Sequence, residues 1–379
     1  MLRAPLVIGN GHVFFAGVIN DIITGLPLGT SSLSYLAVSF VASYIRSVSV
    51  EMTLPTDWFT FGIAVFFSNL INLILLNNFS DITILYIDKV DLTKADYLEL
   101  CIKSIRKNSK FNHQIIPHVN IGDDGTIELL KKLDIEFTHT DYNAGICEGM
   151  NRAAKKARYD YILYAHDDFY FLPSWDNALK NEVEIIGHNN FYLSGIMMNN
   201  GPIKIDYGNT LEDFKESDLL NNYKKHNHYD FQGSTWAPHL IHKELWNKVG
   251  GFSEEFFPGT GSDPDLNMKL WKNGVRIFKG INNCKVYHFG SIVTRRYKNH
   301  PTIRTESGSK GGKIFLIKWG ITIRFFKRFY LRSDTKYANE LTKPKYSFSF
   351  LLNLMFCKLY FLYIKIFYEK SLKKLPKLH

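Results

Sequence analysis

The hydrophobic pattern of the chain changes character near residue 81. Before that point the sequence holds long uncharged stretches, and Trp58–Ser80 runs for 23 residues without a charge. Since a helix needs about 20 apolar residues to cross a bilayer core, residues 1–80 predict a membrane-spanning helical segment. A buried helix of a soluble domain stays open as an alternative, because serine and asparagine side chains interrupt the stretch.

From Asp81 onward, short apolar stretches alternate with amphipathic ones. The pattern predicts strands at Ile82–Ile87, His113–Asn120, Ile135–His139 and Tyr159–Ala165. It predicts helices between them at Tyr97–Lys107, Thr126–Leu133 and Asn151–Arg158. This alternation is typical of an α/β fold with a Rossmann-like sheet flanked by helices, whose ligand site lies beyond the carboxyl ends of the strands. We expect this domain to span residues 81–300.

The composition excludes two classes of protein. Of the 379 residues, 45% are hydrophobic and 22% are charged. The apolar share is too high for a disordered polymer, and the charged share is too high for a transporter embedded wholly in a membrane. The four cysteines, Cys101, Cys147, Cys284 and Cys357, lie far apart without a CxxC spacing, which predicts free thiols.

The carboxyl-terminal part of the chain is strongly basic. Residues 291–379 carry 20 lysines and arginines against four acidic residues, whereas the whole chain has a net charge of +10. Residues 301–379 therefore predict a basic amphipathic helical tail that lies in a membrane interface on the cytoplasmic side. Packing onto the preceding domain and binding to nucleic acid are the alternatives. Because no nucleic-acid module accompanies the tail, we expect a membrane partner and no nucleic acid.

Polar residues follow two of the predicted strands at their carboxyl ends. Asn120, Asp123 and Asp124 come after the second strand, and His166–Asp168 follow a largely apolar one. Adjacent acids at the end of a buried strand are unfavourable unless a positive charge compensates them, as a divalent cation with substrate phosphates does. For Asp123 and Asp124, capping of the helix that begins near Thr126 is the structural alternative.

Further candidate residues lie later in the chain. Asp263 and Asp265 precede a predicted helix and project from its amino-terminal end. His288 ends a short apolar strand, and a neutral imidazole is a common metal ligand. His288 therefore joins Asp168 as a candidate metal ligand. Helix capping by the two aspartates and a hydrogen-bonded core histidine are the structural alternatives.

Five sequence elements occur in a fixed order across residues 82–290. They are a strand followed by DDGT, then NAGICEGMN, YDYILYAHDD, GGFSEEFFPGTGSDPDLNMKLWKNG and VYH. In this order the elements resemble the family 2 glycosyltransferases of the GT-A fold. The resemblance implies an inverting enzyme that moves a sugar from a nucleotide-diphosphate donor to a glycan or lipid-linked acceptor, with Mg2+ or Mn2+ as cofactor.

The resemblance also implies roles for individual residues. The nucleotide-sugar donor is expected to contact Asn120, Asp123, Asp124, His166 and Asp167. Asp168 and His288 match metal-ligand positions, and Asp263 matches the position of the catalytic base.

The sequence departs from the family pattern at two of these positions. His166 replaces the first aspartate of the Asp-x-Asp motif, and Ser262 replaces the glutamate that usually precedes the base. For the acceptor, we expect contacts from Trp236 and Asp265. The polar segment 202–232 lacks clear periodicity and predicts a loop over the active site.

The expected function is therefore sugar transfer at the bacterial inner membrane, in the synthesis of a cell-surface polysaccharide. The alternative is a membrane scaffold of the cell-shape machinery with a catalytically degenerate domain. That alternative comes from Phe15–Arg46, whose aspartate and Gly-Leu-Pro-Leu-Gly turn resemble the rod-shape-determining MreD family of inner-membrane proteins.

Overall fold

The computed structural model describes residues 12–16, 19, 36, 82–87, 94–290 and 307–372. The chain divides into two compact units, Met1–Ser80 with Glu182–His188, and Asp81–Asn181 with Asn189–His379. The predicted membrane span at Trp58–Ser80 lies outside the described residues, as does most of the stretch that resembles MreD. Both therefore stay predictions, and the second unit is described below.

Ten strands of the described residues form one sheet. In chain order they are β1 (Ile82–Ile87), β2 (Gln114–Asn120), β3 (Thr138–Thr140), β4 (Tyr161–Tyr164), β5 (Phe169–Phe171), β6 (Phe191–Asn199), β7 (Phe231–Gln232), β8 (His239–His242), β9 (Ile277–His288) and β10 (Thr335–Lys336).

The α-helices alternate with the strands in the first part of the unit and follow one another in its last part. They are α1 (Lys94–Asn108), α2 (Thr126–Lys132), α3 (Gly145–Ala154), α4 (Trp175–Ile186), α5 (Glu216–Asn222), α6 (Lys243–Val249), α7 (Ser262–Lys272), α8 (Ser307–Trp319), α9 (Ile323–Phe325) and α10 (Phe348–Leu372). A π-helical turn, Phe326–Leu331, continues α9.

The sheet is mixed, and its order is β10-β7-β9-β6-β8-β4-β1-β2-β3, with β5 pairing β9 outside this path. Strands β4, β1, β2 and β3 are parallel, as the strand and helix alternation predicts. Strand β8 runs antiparallel to both β4 and β6, and β6 is parallel to β9. Strands β4, β6 and β9 therefore point the same way, so their carboxyl ends lie along one edge of the sheet.

The apolar positions that predicted the first helix form its buried face. Leu98, Ile102 and Ile105 on α1 are at most 1% exposed, and so are Ile116 and Val119 on β2. Burying one such aliphatic side chain contributes about 1.5–3 kcal/mol. The four cysteines are all free and buried, which confirms the prediction of free thiols.

The helix predicted at Asn151–Arg158 begins earlier, because α3 starts at Gly145 and ends at Ala154. Its first backbone donors are satisfied by neighbours that the hydrophobic pattern does not reveal. The Gly145 amide donates to Asn143 Oδ1 at 3.0 Å, and the Ile146 amide donates to the Pro258 carbonyl at 2.8 Å. The start of α3 is therefore joined to the segment that precedes α7.

The segment 202–232 is more ordered than the predicted loop. It contains α5 and β7 and buries Ile203, Leu219 and Tyr223 in one cluster with Met198 and Tyr287. The sequence conceals this packing because the buried residues are spread irregularly among asparagines and lysines. The segment therefore packs against β6 and β9 through its few apolar side chains.

The tail of the chain forms helices α8, α9 and α10. Within the described residues, α10 alone is long and apolar enough to cross a membrane, over Phe348–Ile366. Phe350, Cys357 and Ile364 on α10 are buried and lie whole heptads apart on one face. Most of the other apolar side chains of the helix are exposed, so α10 is less amphipathic than the sequence predicts.

Candidate active site

Strand pairing brings Asp168 beside His288. After β4 the chain turns through His166–Asp168 and enters β5, whose first residue, Phe169, is paired with His288 at the end of β9. Asp168 Oδ2 lies 3.3 Å from His288 Nε2. The backbone supports the same contact, because the Phe289 amide donates to the Asp168 carbonyl at 3.1 Å.

A backbone carbonyl fixes the orientation of the His288 ring. His288 Nδ1 lies 3.2 Å from the Asn200 carbonyl oxygen. The Asn200 side chain in turn donates to the His288 carbonyl at 3.0 Å. When Nδ1 carries the proton, it donates to Asn200 and Nε2 presents a lone pair on the side of Asp168. Histidines that bind metals are usually oriented by such a hydrogen bond on the other nitrogen.

His166 is held by aromatic neighbours. Its Nε2 lies 2.8 Å from the Tyr164 hydroxyl, and its ring stacks on Phe169 with the centroids 4.9 Å apart. Burial raises the pKa of Tyr164, and the charge of Asp263 raises it further. The Tyr164 hydroxyl therefore stays protonated, and it holds His166 in a defined position.

His166, Asp168 and His288 together form a candidate metal centre. Their ligand atoms all lie within 4.8 Å of one another. Two imidazoles and a carboxylate form a donor set that suits a first-row divalent cation, and diphosphate oxygens of a substrate would complete its coordination. The residues present therefore fit the cofactor that the sequence predicts, with His166 as a third candidate ligand.

Asp263 lies in the first turn of α7 and carries a buried carboxylate oxygen. Its Oδ1 has no hydrogen-bond partner in the described part of the chain. Burial raises the pKa of Asp263 from 3.8 to about 7. Its charge acts on the buried hydroxyls of Tyr164 and Tyr192, which places Asp263 near the residue that orients His166. A carboxyl that titrates near neutrality suits a general base.

Asp265 is not available to the acceptor contact that the sequence predicts. This fully buried carboxylate accepts hydrogen bonds from Ser253 Oγ at 2.6 Å and Trp319 Nε1 at 2.7 Å. It also forms an ion pair with Lys318 Nζ at 3.0 Å. The sequence places Lys318 and Trp319 in the tail, so their contact with α7 is not readable from periodicity. Asp265 joins α8 to the helix that carries Asp263.

Lys318→Met is expected to lower the free energy of unfolding by about 3 kcal/mol, because it leaves the buried Asp265 charge without its cationic partner. Thermal or urea unfolding of the purified chain measures the change. Lys327→Met is the matched control, since Lys327 pairs at 3.8 Å with Asp334, whose side chain is 70% exposed. An exposed pair contributes about 0–1 kcal/mol. Equal losses in the two variants would contradict a buried role for Lys318.

The residues predicted to contact the donor lie around the same sheet edge. They differ in burial and in the hydrogen bonds that their side chains already make. Asn120 is buried, and its Oδ1 accepts from the Ala144 amide at 2.8 Å. Asp124 Oδ1 accepts from the Thr126 amide at 3.1 Å, whereas the N-cap residue of α2 is Gly125 and no side chain caps the helix. Asp123 is exposed. Burial and the Asp168 charge raise the pKa of Asp167.

Trp236 packs against the buried cluster that includes Phe231, with ring centroids 5.8 Å apart. Its indole Nε1 donates to the Gly195 carbonyl at 2.9 Å. The indole donor is thereby used inside the fold, so contact with an acceptor stays a prediction for the partly buried ring alone.

Sequence reasoning missed the residues that orient the site. Tyr164 was predicted only as part of a strand. Asn200, which follows β6 directly, was not predicted as a site residue. The signal for Tyr164 was present, because a tyrosine two positions before a polar residue at a strand end shares its face. Asn200 gave no such signal, since its contact with His288 depends on the pairing of β6 with β9.

A comparison with protein families matches the part of the chain that carries some of these site residues. The family profile described as Glycosyl transferase family 2 matches residues 92–245. This stretch is therefore similar to the glycosyl transferase family 2. The matched range contains Asn120 and His166–Asp168, and it ends before Asp263 and His288. The roles of those two residues therefore depend on the geometry described above.

The individual proteins to which this chain is similar are distant in sequence. Chondroitin synthase of Pasteurella multocida (strain Pm70) is 25% identical over 250 residues, which cover 56% of this chain and 24% of that protein. The chain thus spans about a quarter of the length of this curated relative. Crystal structures of S. aureus TarS 1-349, alone and in complex with UDP-GlcNAc, each give a TM-score of 0.45 at 12% identity. They cover 79% and 77% of this chain, and 75% and 74% of those chains.

Proposed function

We propose that this protein is a metal-dependent glycosyltransferase of the inverting type. It moves a sugar from a nucleotide-diphosphate donor to a glycan or lipid-linked acceptor, in the synthesis of a bacterial cell-surface polysaccharide. The observation that carries the proposal is that His166, Asp168 and His288 converge at one edge of the sheet. Two of these residues, His166 and Asp168, lie within the range that matches the family 2 profile.

The metal centre addresses the charge that develops as the donor breaks. In an inverting transfer, the anomeric carbon becomes positively charged while the nucleoside diphosphate leaves. A divalent cation, when bound, supplies positive charge against the leaving diphosphate. His166, Asp168 and His288 would hold it, with Tyr164 and Asn200 keeping the two imidazoles in place.

Asp263 supplies the proton acceptor in this proposal. The acceptor hydroxyl must lose its proton as it attacks the anomeric carbon. A carboxylate whose pKa lies near 7 is partly ionised at neutral pH and more basic than an ordinary aspartate, which favours proton abstraction. Its Oδ1 is buried and has no hydrogen-bond donor in the described part of the chain, so nothing stabilises the ionised form and the carboxylate stays basic.

The proposal also assigns individual residues to contacts with the donor and the acceptor. Asn120 ends β2, Asp123 and Asp124 follow it, and Asp167 follows β4. Nucleotides bind to sheets of this type beyond the carboxyl ends of the strands. Asp123 is exposed and is proposed to accept a hydrogen bond from a ribose hydroxyl. Trp236 stays a proposed acceptor contact through the exposed part of its ring.

The membrane location rests on the tail. Helix α10 exposes a row of large apolar side chains, among them Phe348, Phe356, Leu359 and Ile366. Its surroundings are rich in lysine and arginine. An exposed apolar helix beside cations is typical of a protein that lies on an anionic membrane surface. We place the catalytic unit on the cytoplasmic side, where nucleotide sugars are made.

Removing divalent cations with EDTA is expected to lower nucleoside diphosphate release from the preferred donor by at least about 100-fold. Because the donor set contains two imidazoles, Mn2+ should restore more activity than Mg2+, which prefers oxygen ligands. A panel of nucleotide sugars, first screened by thermal shift, identifies the donor.

Each other outcome of this experiment has a distinct meaning. Full turnover after EDTA treatment would contradict the metal centre. Donor binding without diphosphate release in the presence of acceptors would indicate a sugar-binding module. No donor binding with any metal would favour the membrane scaffold with a degenerate domain.

A further inference from the structure

A basic cavity lies at the amino-terminal end of α10. It has a volume of about 520 Å³ and is lined by Arg328, Phe329, Arg332, Thr342 and Lys345. Three of the five lining residues are cations, and none is acidic. The site therefore has the composition of an anion-binding cavity, and no residue of the proposed transferase chemistry belongs to it.

The three cations are available to an external anion. Arg332 Nη2 donates to Thr342 Oγ1 at 2.8 Å, and the Arg328 guanidinium lies 5.1 Å from the Phe329 ring centroid. Within the described residues, neither arginine nor Lys345 forms an ion pair. Guanidinium groups bind phosphate oxygens in a bidentate manner, which makes a phosphate the anion that this set fits best.

The cavity is held on the folded unit. Arg332 ends the π-helical turn with a φ of 51°, and the Ser333 hydroxyl after it donates to the Gly233 carbonyl at 2.6 Å. Thr335 and Lys336 then pair with β7 as the edge strand β10. Arg332 therefore projects from a backbone that is fixed to the sheet immediately after it.

The apolar surface beside the cavity indicates which kind of phosphate compound fits the site. Tyr346 and Phe348 lie one and three residues after Lys345 and are 78% and 83% exposed. The exposed apolar face of α10 continues from them through Leu352, Phe356 and Leu359. A ligand that meets both surfaces carries a phosphate next to hydrocarbon, and a phospholipid has this composition.

We propose that the basic cavity binds the phosphate headgroup of an anionic phospholipid while α10 embeds its exposed face among the acyl chains. The proposal rests on the membrane location of the proposed function and is independent of sugar transfer. It sets the orientation of α10 in the membrane, because the amino-terminal end of the helix is held at the headgroup layer. Helix α8, which packs against α10, carries Lys318, and its ion pair with Asp265 links α8 to the helix of Asp263.

The test is vesicle binding by the full chain, measured by flotation on phosphatidylcholine vesicles with and without phosphatidylglycerol. Each cation near an anionic surface contributes about fivefold to partitioning, so the triple variant Arg328→Gln, Arg332→Gln, Lys345→Gln should lose about 100-fold on vesicles with phosphatidylglycerol. On pure phosphatidylcholine it should match the unaltered chain. The double variant Phe356→Gln, Leu359→Gln should lose binding to both kinds of vesicle.

A matched control distinguishes binding at the cavity from general electrostatic attraction to the vesicle. Lys155, Lys248 and Lys272 are exposed and form no ion pair within the described residues. Their triple exchange to glutamine removes the same charge and should reduce binding less than about tenfold. Equal losses in the two triple variants would overturn the cavity and leave only general electrostatic attraction.

Two further measurements distinguish the remaining outcomes. Inorganic phosphate should release no more protein from the vesicles than chloride of the same ionic strength, and specific release would identify free phosphate as the ligand. Diphosphate release in detergent should be unchanged in the cavity variant. Failure of that activity in the unaltered chain would refute the proposed function, whereas unchanged vesicle binding of the cavity variant would refute the lipid site.

Discussion

Asp263→Asn is expected to lower the turnover number for sugar transfer by about 1,000-fold while leaving the Kd of the donor nearly unchanged. The reason is that asparagine keeps the shape of the side chain but cannot accept the proton of the acceptor hydroxyl, and a positioned general base contributes about 100- to 10,000-fold. Steady-state release of nucleoside diphosphate gives the turnover number, and thermal shift with the donor gives binding. Asp218→Asn, an exposed exchange in α5, serves as the control.

The pH dependence of turnover tests the same assignment. Because burial raises the pKa of Asp263 to about 7, the base is protonated and inactive well below that pH. Turnover should therefore rise with pH and level off above about 7. The residual activity of Asp263→Asn should lack this rise. A wild-type turnover number in the variant, or an unchanged pH profile, would exclude Asp263 as the base.

The stability of the same variant should change in the opposite direction to its activity. A carboxyl whose pKa rises from 3.8 to about 7 on folding favours the folded state while it is protonated. That contribution is lost as the pH rises to about 7, and ionisation in the folded state then costs about 4 kcal/mol. Asp263→Asn should accordingly raise the Tm at pH 8, with a smaller gain at pH 5. A lower Tm at both pH values would indicate a merely structural carboxyl.

The local elements of this fold were largely readable from the sequence. Strand β1 has the predicted bounds, and α1 and α2 differ from the prediction only at their ends. Their apolar residues recur with the period of the structure they form, so short windows were sufficient. The convergence of His166–Asp168 with His288 was also accessible, because parallel strands place their carboxyl ends at one edge.

The contacts that depend on long-range packing were not readable. Asp265 was predicted to contact the acceptor, yet Lys318 and Trp319 occupy its carboxylate. No periodicity links α7 to α8. His166 was predicted to contact the donor, and its position near His288 was not readable because it follows from the β5–β9 pairing.

Asp168→Asn is expected to abolish the metal centre, with a loss in Mn2+ affinity greater than the roughly 10- to 100-fold that the loss of an outer-shell partner costs. The amide keeps one weakly coordinating oxygen but loses the negative charge. Turnover should fall by about 1,000-fold, because cation stabilisation of the leaving diphosphate is worth several kcal/mol. Isothermal titration with Mn2+ alone measures affinity, and Asp141→Asn, which removes a carboxylate that is 97% exposed, is the control.

The companion variant His288→Gln separates metal binding from the pairing of β5 and β9. If both Asp168→Asn and His288→Gln lose Mn2+ binding and the Mn2+-dependent rise in Tm while keeping the Tm of the metal-free chain, the two side chains act as ligands. If either variant binds Mn2+ like the unaltered chain, the cation is held elsewhere. The Asp168–His288 contact would then be an ordinary ion pair between neighbouring strands, and the charge of the leaving diphosphate would need another partner.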